Sequence, residues 1–178
     1  MRTFVRRLAA VTAAVVVGAV MTVPGTAQAE VSRNDGIYMI SALHSSKCLD
    51  VQDASMNHMA NVLQANCTGT WNQQWIRRYA TTGWFVLVAR HSGKCLDVAW
   101  ASTAHGADVI QGDCWAGYNQ QWREGPVQSD GTISLIARHS GKCLDVQDAS
   151  TAHGANVLQG TCWNGRNQRW YMNPVYVP

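Results

Sequence analysis

Hydrophobic residues along this chain fall in short runs that end in clusters of Ser, Thr, His, Asn and Gly. Mid-chain, "GWFVLVARHS" at 83–92, "KCLDVA" at 94–99, "DVIQGDC" at 108–114 and "NQQWRE" at 119–124 follow one another, each bounded by turn-forming residues. Helices would set apolar residues at i, i+3, i+4 and i+7. That spacing is absent, so the pattern predicts strands and no long helix. The β-branched and aromatic content of the runs fits a pleated, half-buried surface.

The same four segments are written three times. "HSGKCLDV" at 91–98 recurs letter for letter at 139–146, and "HSSKCLDV" at 44–51 is a near copy. From Cys48 to Cys95 to Cys143 the steps are 47 and 48 residues. Each unit opens at a glycine (Gly36, Gly83, Gly131) and closes on Q-x-W, at Gln73 and Trp75, Gln120 and Trp122, Gln168 and Trp170. The units therefore run over about 36–82, 83–130 and 131–178. Three copies of a four-strand unit predict an all-β fold, a β-trefoil in which six strands close a barrel and six form hairpins that cap one end. A propeller would need more copies than the chain has room for. Trp75, Trp122 and Trp170 are expected in the barrel core.

The ends change the charge picture. Arg2, Arg6 and Arg7 precede an apolar run from Leu8 to Val23 and a small-residue A-x-A site at Ala27 and Ala29. This is the pattern of a secretory signal peptide over 1–29, too short and weakly flanked for a membrane span. The mature chain would be residues 30–178, secreted and extracellular, with no membrane insertion. Those three arginines account for the whole excess of 14 basic over 11 acidic residues. A neutral mature chain has no basic footprint for nucleic acid, and a monomer is expected.

All six cysteines lie beyond that segment, in the pairs Cys48 and Cys67, Cys95 and Cys114, Cys143 and Cys162, each 19 residues apart. Six cysteines allow 15 pairings. One identically spaced pair per unit makes pairing within the unit the simplest, in a compartment where disulfides persist. Neither C-x-x-C nor H-x-x-x-H occurs, so no metal and no cofactor is expected.

With C-L-D-V, the second cysteine and the closing N-Q-x-W in register three times, the chain resembles the ricin B-chain type of β-trefoil lectin and carbohydrate-binding module over about residues 36–178. The resemblance implies that Asp50, Asp97 and Asp145 lie at the floors of shallow sugar pockets. It implies that Asn72, Asn119 and Asn167 donate to the same hydroxyls, and that Gln73, Gln120 and Gln168 hold the aspartates. A carboxylate acceptor beside an amide suits vicinal hydroxyls, which both donate and accept. In a shallow, wet pocket such bonds give weak single sites, which three copies would strengthen through avidity.

The pattern departs from that family where an aromatic wall is usual, since Ala65, Gly112 and Gly160 stand there. Two positions earlier, where a pocket glutamine is usual, stand Leu63, Ile110 and Leu158. Gln64, Gln111 and Gln159 are displaced by one, which in a strand points them to the opposite face. Trp115 and Trp163, directly after the second cysteine, are candidate replacements for the wall, although an aromatic beside a disulfide also simply packs on it. Trp100 stands where the other units have Asp53 and Asp148, and His58, His105 and His153 share one loop position. The first unit, with Thr68 in place of tryptophan, is expected to be the weakest. Lys47, Lys94 and Lys142 read as solvated strand-end residues.

The aspartates have a plainer reading as turn carboxylates that cap backbone amides. No second acid faces them as glycoside hydrolysis requires, and no nucleophile-elbow motif occurs, so a non-enzyme is expected. The expected function is a lectin whose partners are glycans or polysaccharides. The rival is a β-trefoil that has lost sugar binding and serves protein recognition, as an inhibitor or adhesion scaffold.

Overall fold

The computed structural model describes residues 36–176. The signal-peptide reading of 1–29 lies outside them. Twelve strands follow in order: β1 (Gly36–Ala42), β2 (Cys48–Val51), β3 (Ala60–Ala65), β4 (Gln74–Thr81), β5 (Trp84–Ala89), β6 (Cys95–Val98), β7 (Ala107–Gly112), β8 (Trp122–Glu124), β9 (Leu135–Ala137), β10 (Cys143–Val146), β11 (Ala155–Gly160) and β12 (Trp170–Pro174).

Six of them close a barrel. β1 pairs with both β12 and β4, β4 with β5, β5 with β8, and β8 with β9. A bridge between Ile133 and Trp170 returns the ring to β12. The other six form the hairpins β2–β3, β6–β7 and β10–β11. Their second strands meet in a triangle, through Ala60 with Gln111, Ala107 with Gln159, and Ala155 with Gln64. This is a β-trefoil, with four strands per repeat as the sequence predicts.

The C-L-D-V strand shows how two-residue periodicity sorts the chain. Leu49 and Val51 join the hydrophobic core with their counterparts Leu96, Val98, Leu144 and Val146. Cys48 and Asp50 alternate with them, so they point to the other face. There the cysteines bridge each hairpin, as Cys48–Cys67, Cys95–Cys114 and Cys143–Cys162. In the chain-entropy account each such loop contributes about 3 kcal/mol.

Trp75, Trp122 and Trp170 are fully buried, as expected. Each indole N–H donates to the carbonyl of the C-L-D-V leucine of its own repeat: Leu49 at 3.1 Å, Leu96 at 3.1 Å and Leu144 at 3.0 Å. The last barrel strand of a repeat is thus tied to the residue next to its aspartate.

One expectation shifts. "NQQWRE" reads as strand from Asn119, but Tyr118–Gln120 form a single 3-10 turn and β8 starts at Trp122. The Gln120 N–H bonds the Gly117 carbonyl at 3.0 Å, and Trp71–Gln73 and Arg166–Gln168 are turns of the same kind. The turn swings the Asn-Gln pair off the barrel and toward the hairpin.

Candidate functional site

That swing brings together the aspartate, asparagine and glutamine of each repeat. Asn167 Nδ2 donates to Asp145 Oδ1 at 2.6 Å, and Gln168 Nε2 donates to Oδ2 at 2.7 Å. The second repeat repeats this with Asn119 and Gln120 on Asp97, at 2.6 and 2.7 Å. In the first, Asn72 lies 3.0 Å and Gln73 2.7 Å from Asp50. Each glutamine amide thus holds the aspartate of its own repeat.

The asparagines differ from their implied role. Besides the carboxylate, Nδ2 of each reaches a carbonyl, that of Val51, Val98 or Val146. Both amide protons are therefore used inside the repeat. What Asn167 leaves free is Oδ1, a buried acceptor with no partner.

Burial of the three carboxylates raises their pKa values above the ordinary aspartate range, and the glutamine and asparagine hydrogen bonds only partly offset this. Asp145 lies in the wall of a cleft of about 390 Å³, with Asn167, Leu158 and Asp148 of its own repeat and His105 and Asp108 of the one before. The cleft is thus built across a repeat boundary. Its rim is held in an uncommon backbone conformation: Asp148 has φ 55°, as does Asp53 of the first repeat, and Trp100 of the second has φ 58°. Left-handed geometry at a non-glycine residue is uncommon and often marks a functional loop.

In the second and third repeats the carboxylate lies against the position of the missing aromatic wall. A Cβ at Gly160 would lie 2.2 Å from Asp145 Oδ2, and one at Gly112 2.5 Å from Asp97 Oδ2. The carboxylate leans into the space that a side chain would fill. The first repeat carries Ala65 there, and its Asn–Asp bond is the longest of the three.

Trp115 and Trp163 are exposed at 66% and 65%. Their indoles lie across the glycine two residues on, where a Cβ would meet the ring at 2.2 Å for Gly117 and 2.1 Å for Gly165. Asn119 Oδ1 lies 2.7 Å from the same point at Gly117, so that indole flanks its asparagine. Trp163 is not in the wall of the Asp145 cleft. The first repeat has Thr68 and Thr70 at the two places, joined at 2.9 Å.

Gln64, Gln111 and Gln159 face inward, as their displacement predicts, and are fully buried. Gln111 accepts from Ser92 and donates to the Ser55 and Asn57 carbonyls of the preceding repeat. Gln159 and Gln64 lock the other boundaries in the same way, through Ser102 and Ala104, and through Ser150 and Ala152. His91, His139 and His44 bond the same serine carbonyls. Lys94 departs from its solvated reading: its ammonium pairs with Asp113, beside the second disulfide.

Sequence reading placed His58, His105 and His153 only as equivalent loop residues. In the fold each reaches the following repeat, where Nδ1 accepts the N–H of Asp113 at 3.1 Å, Thr161 at 3.0 Å and Asn66 at 3.2 Å respectively. Repetition was their only signal in the sequence, and it could not reveal that each serves another unit. Among the described residues no cluster of His, Cys, Asp and Glu is placed to hold a metal.

No curated protein is similar enough to count as a relative. Among solved structures, the designed threefold-symmetric protein ThreeFoil is 50% identical at a TM-score of 0.77, over 79% of this chain and 100% of that one. An exo-β-1,3-galactanase from Clostridium thermocellum is 34% identical at a TM-score of 0.76, over 79% of this chain but 30% of the enzyme. A ricin B-like lectin of Macrolepiota procera, solved with lactose, shares the fold at 17% identity and a TM-score of 0.67, over 79% of this chain and 96% of that one. A family model described as a phage related protein matches residues 2–42, too little of the chain to place it. The model of the ricin-type beta-trefoil lectin domain matches residues 36–170, most of the chain, and with the three Asp–Asn–Gln clusters on a trefoil frame this shows that the chain belongs to that family.

Proposed function

We propose that this protein is a non-catalytic lectin that binds neutral glycans through up to three weak sites, one per repeat. The observation that carries the reading is the Asp–Asn–Gln cluster at Asp145, buried on its protein side and open to a cleft of about 390 Å³ on the other. A capping carboxylate would have backbone amides as partners. These carboxylates accept from side-chain amides instead, and lone pairs remain for hydroxyl groups. Asp108 and Asp148 in the same cleft disfavour acidic sugars by like-charge repulsion. Each carboxylate is matched with amides rather than a second acid, which supports binding over hydrolysis.

Three sites on one rigid body favour dense surfaces such as polysaccharides through avidity. Export with cleavage after Ala29 is part of the reading, supported by three disulfides that an oxidising compartment sustains. Exposed Trp100, Trp115 and Tyr118, all in the second repeat, favour protein recognition as the second reading.

The test is a binding screen of the purified protein on an array holding lactose, N-acetylgalactosamine and β-1,3-galactan fragments, and on insoluble polysaccharides. The control is the triple variant Asp50→Asn, Asp97→Asn, Asp145→Asn. Binding by the wild type and its loss in the folded variant supports the lectin. An empty screen with a partner protein bound equally by both supports the second reading.

A further inference from the structure

We propose that each sugar site is completed across a repeat boundary by a histidine, His153 for the first repeat, His58 for the second and His105 for the third, whose Nε2–H donates to a hydroxyl of the bound glycan. The proposal rests on the carbohydrate reading above.

It follows from a count of donors. Gln168 Nε2 has its two protons on Asp145 and the Thr161 carbonyl, and Oε1 accepts the Trp163 N–H at 3.0 Å. Asn167 has both of its protons on Asp145 and the Val146 carbonyl. The triad therefore has no donor left for the cleft: it presents the spare lone pairs of the Asp145 carboxylate, while Asn167 Oδ1 is buried without a partner. A sugar hydroxyl offers one proton and two lone pairs, so acceptors alone satisfy its proton and leave both lone pairs without a donor.

The donor comes from the preceding repeat. His105 lies in the wall of the same cleft as Asp145. Its Nδ1 faces the Thr161 N–H, which can only donate, so the lone pair is on Nδ1 and the neutral ring carries its proton on Nε2. The anchor restrains the ring at Nδ1, and Nε2 is the polar atom of His105 that the anchor does not use. His153 is held on Asn66 in the same way. At His58 the Asp113 carboxylate stands 3.5 Å from Nδ1 and competes with the amide, so His105 and His153 carry the test. Gln147 is a further amide in the third cleft, but Ala99 replaces it in the second repeat. Of these two donors, only the histidine recurs in all three.

Two measurements test this. In the free protein with ¹⁵N-labelled histidine, long-range nitrogen–proton correlation at neutral pH should show bare Nδ1 and protonated Nε2 for His105 and His153. The opposite tautomer at both overturns the proposal whatever the protein binds. The glycan array then compares Asp50→Asn/Asp97→Asn, which leaves the third site, with the same protein carrying His105→Phe or His105→Gln. Phe keeps a ring without a donor and should lower affinity about tenfold, while Gln, which keeps a donor at that reach, should retain more of it. Melting temperatures read alongside exclude simple unfolding. Unchanged binding by His105→Phe overturns the histidine role and leaves the lectin reading intact. No glycan bound by the wild type overturns both.

Discussion

The first repeat and the two that follow carry the same Asp–Asn–Gln cluster in different surroundings. In the second and third, a tryptophan lies across a glycine two residues on, the position beside the aspartate is glycine, and the asparagine is 5% exposed. In the first, Thr68 and Thr70 replace the tryptophan and glycine, Ala65 replaces the other glycine, and Asn72 is only half-buried. Tryptophan and glycine change together because the indole occupies the volume that a Cβ at position 117 or 165 would need. The cluster is held by backbone that all three repeats share, whereas its cover depends on a pair of residues that only two of them keep.

The shared part can be broken first. Trp170→Ala removes a fully buried side chain together with its bond to Leu144 and should cost about 3–5 kcal/mol. Trp75→Ala should cost about as much, because the same bond to Leu49 is lost. Denaturant titration of both variants checks this, and a first-repeat tryptophan that proved dispensable would show the frame itself to be unequal.

A smaller change turns one kind of repeat into the other. Gly165→Thr places a Cβ 2.1 Å from the Trp163 ring, so the indole must leave. A loss of about 1–3 kcal/mol is expected, with red-shifted tryptophan emission and an asparagine as open as Asn72. Unchanged emission and stability would mean that the indole was never seated there.

The smallest effect is a titration that all three repeats should share. Burial raises the folded-state pKa of Asp50, Asp97 and Asp145 above the ordinary value of 3.8. Their ionised forms therefore weigh against folding above that raised value, and the penalty disappears as pH falls through it towards 3.8. Binding moves the other way, since protonation removes an acceptor. His153 and His91 near Asp50, His58 and His139 near Asp97, and His105, His44, Asp108 and Asp148 around Asp145 share this field. Asp113 and Asp130 should titrate below 3.8, lowered by hydrogen bonds from Lys94 and from Thr132. Carboxyl-carbon NMR titration resolves the two groups, and finding the three buried aspartates below Asp113 would remove the basis of this expectation.

Much of this protein was determined by its sequence alone. Threefold repetition with four strand-like segments per unit leads to the trefoil, because a repeat with one apolar face must bury it against its copies. The cysteine pairs and the core tryptophans were legible for the same reason, since each lies within one repeat at constant spacing, whereas the grouping of each aspartate with its asparagine and glutamine was what the family resemblance implied. The tertiary structure decided what crosses between repeats. Closure brings His105 and Asp108 of the second repeat to Asp145 of the third, and it aims Gln159 of the third at carbonyls of the second. No spacing along the chain encodes those contacts, since they depend on the angle at which one hairpin meets the next. The direction of the asparagine amide is of the same kind. Its protons go to the carboxylate and a backbone carbonyl because the 3-10 turn places both within reach, and that turn replaces the strand that the apolar pattern predicts.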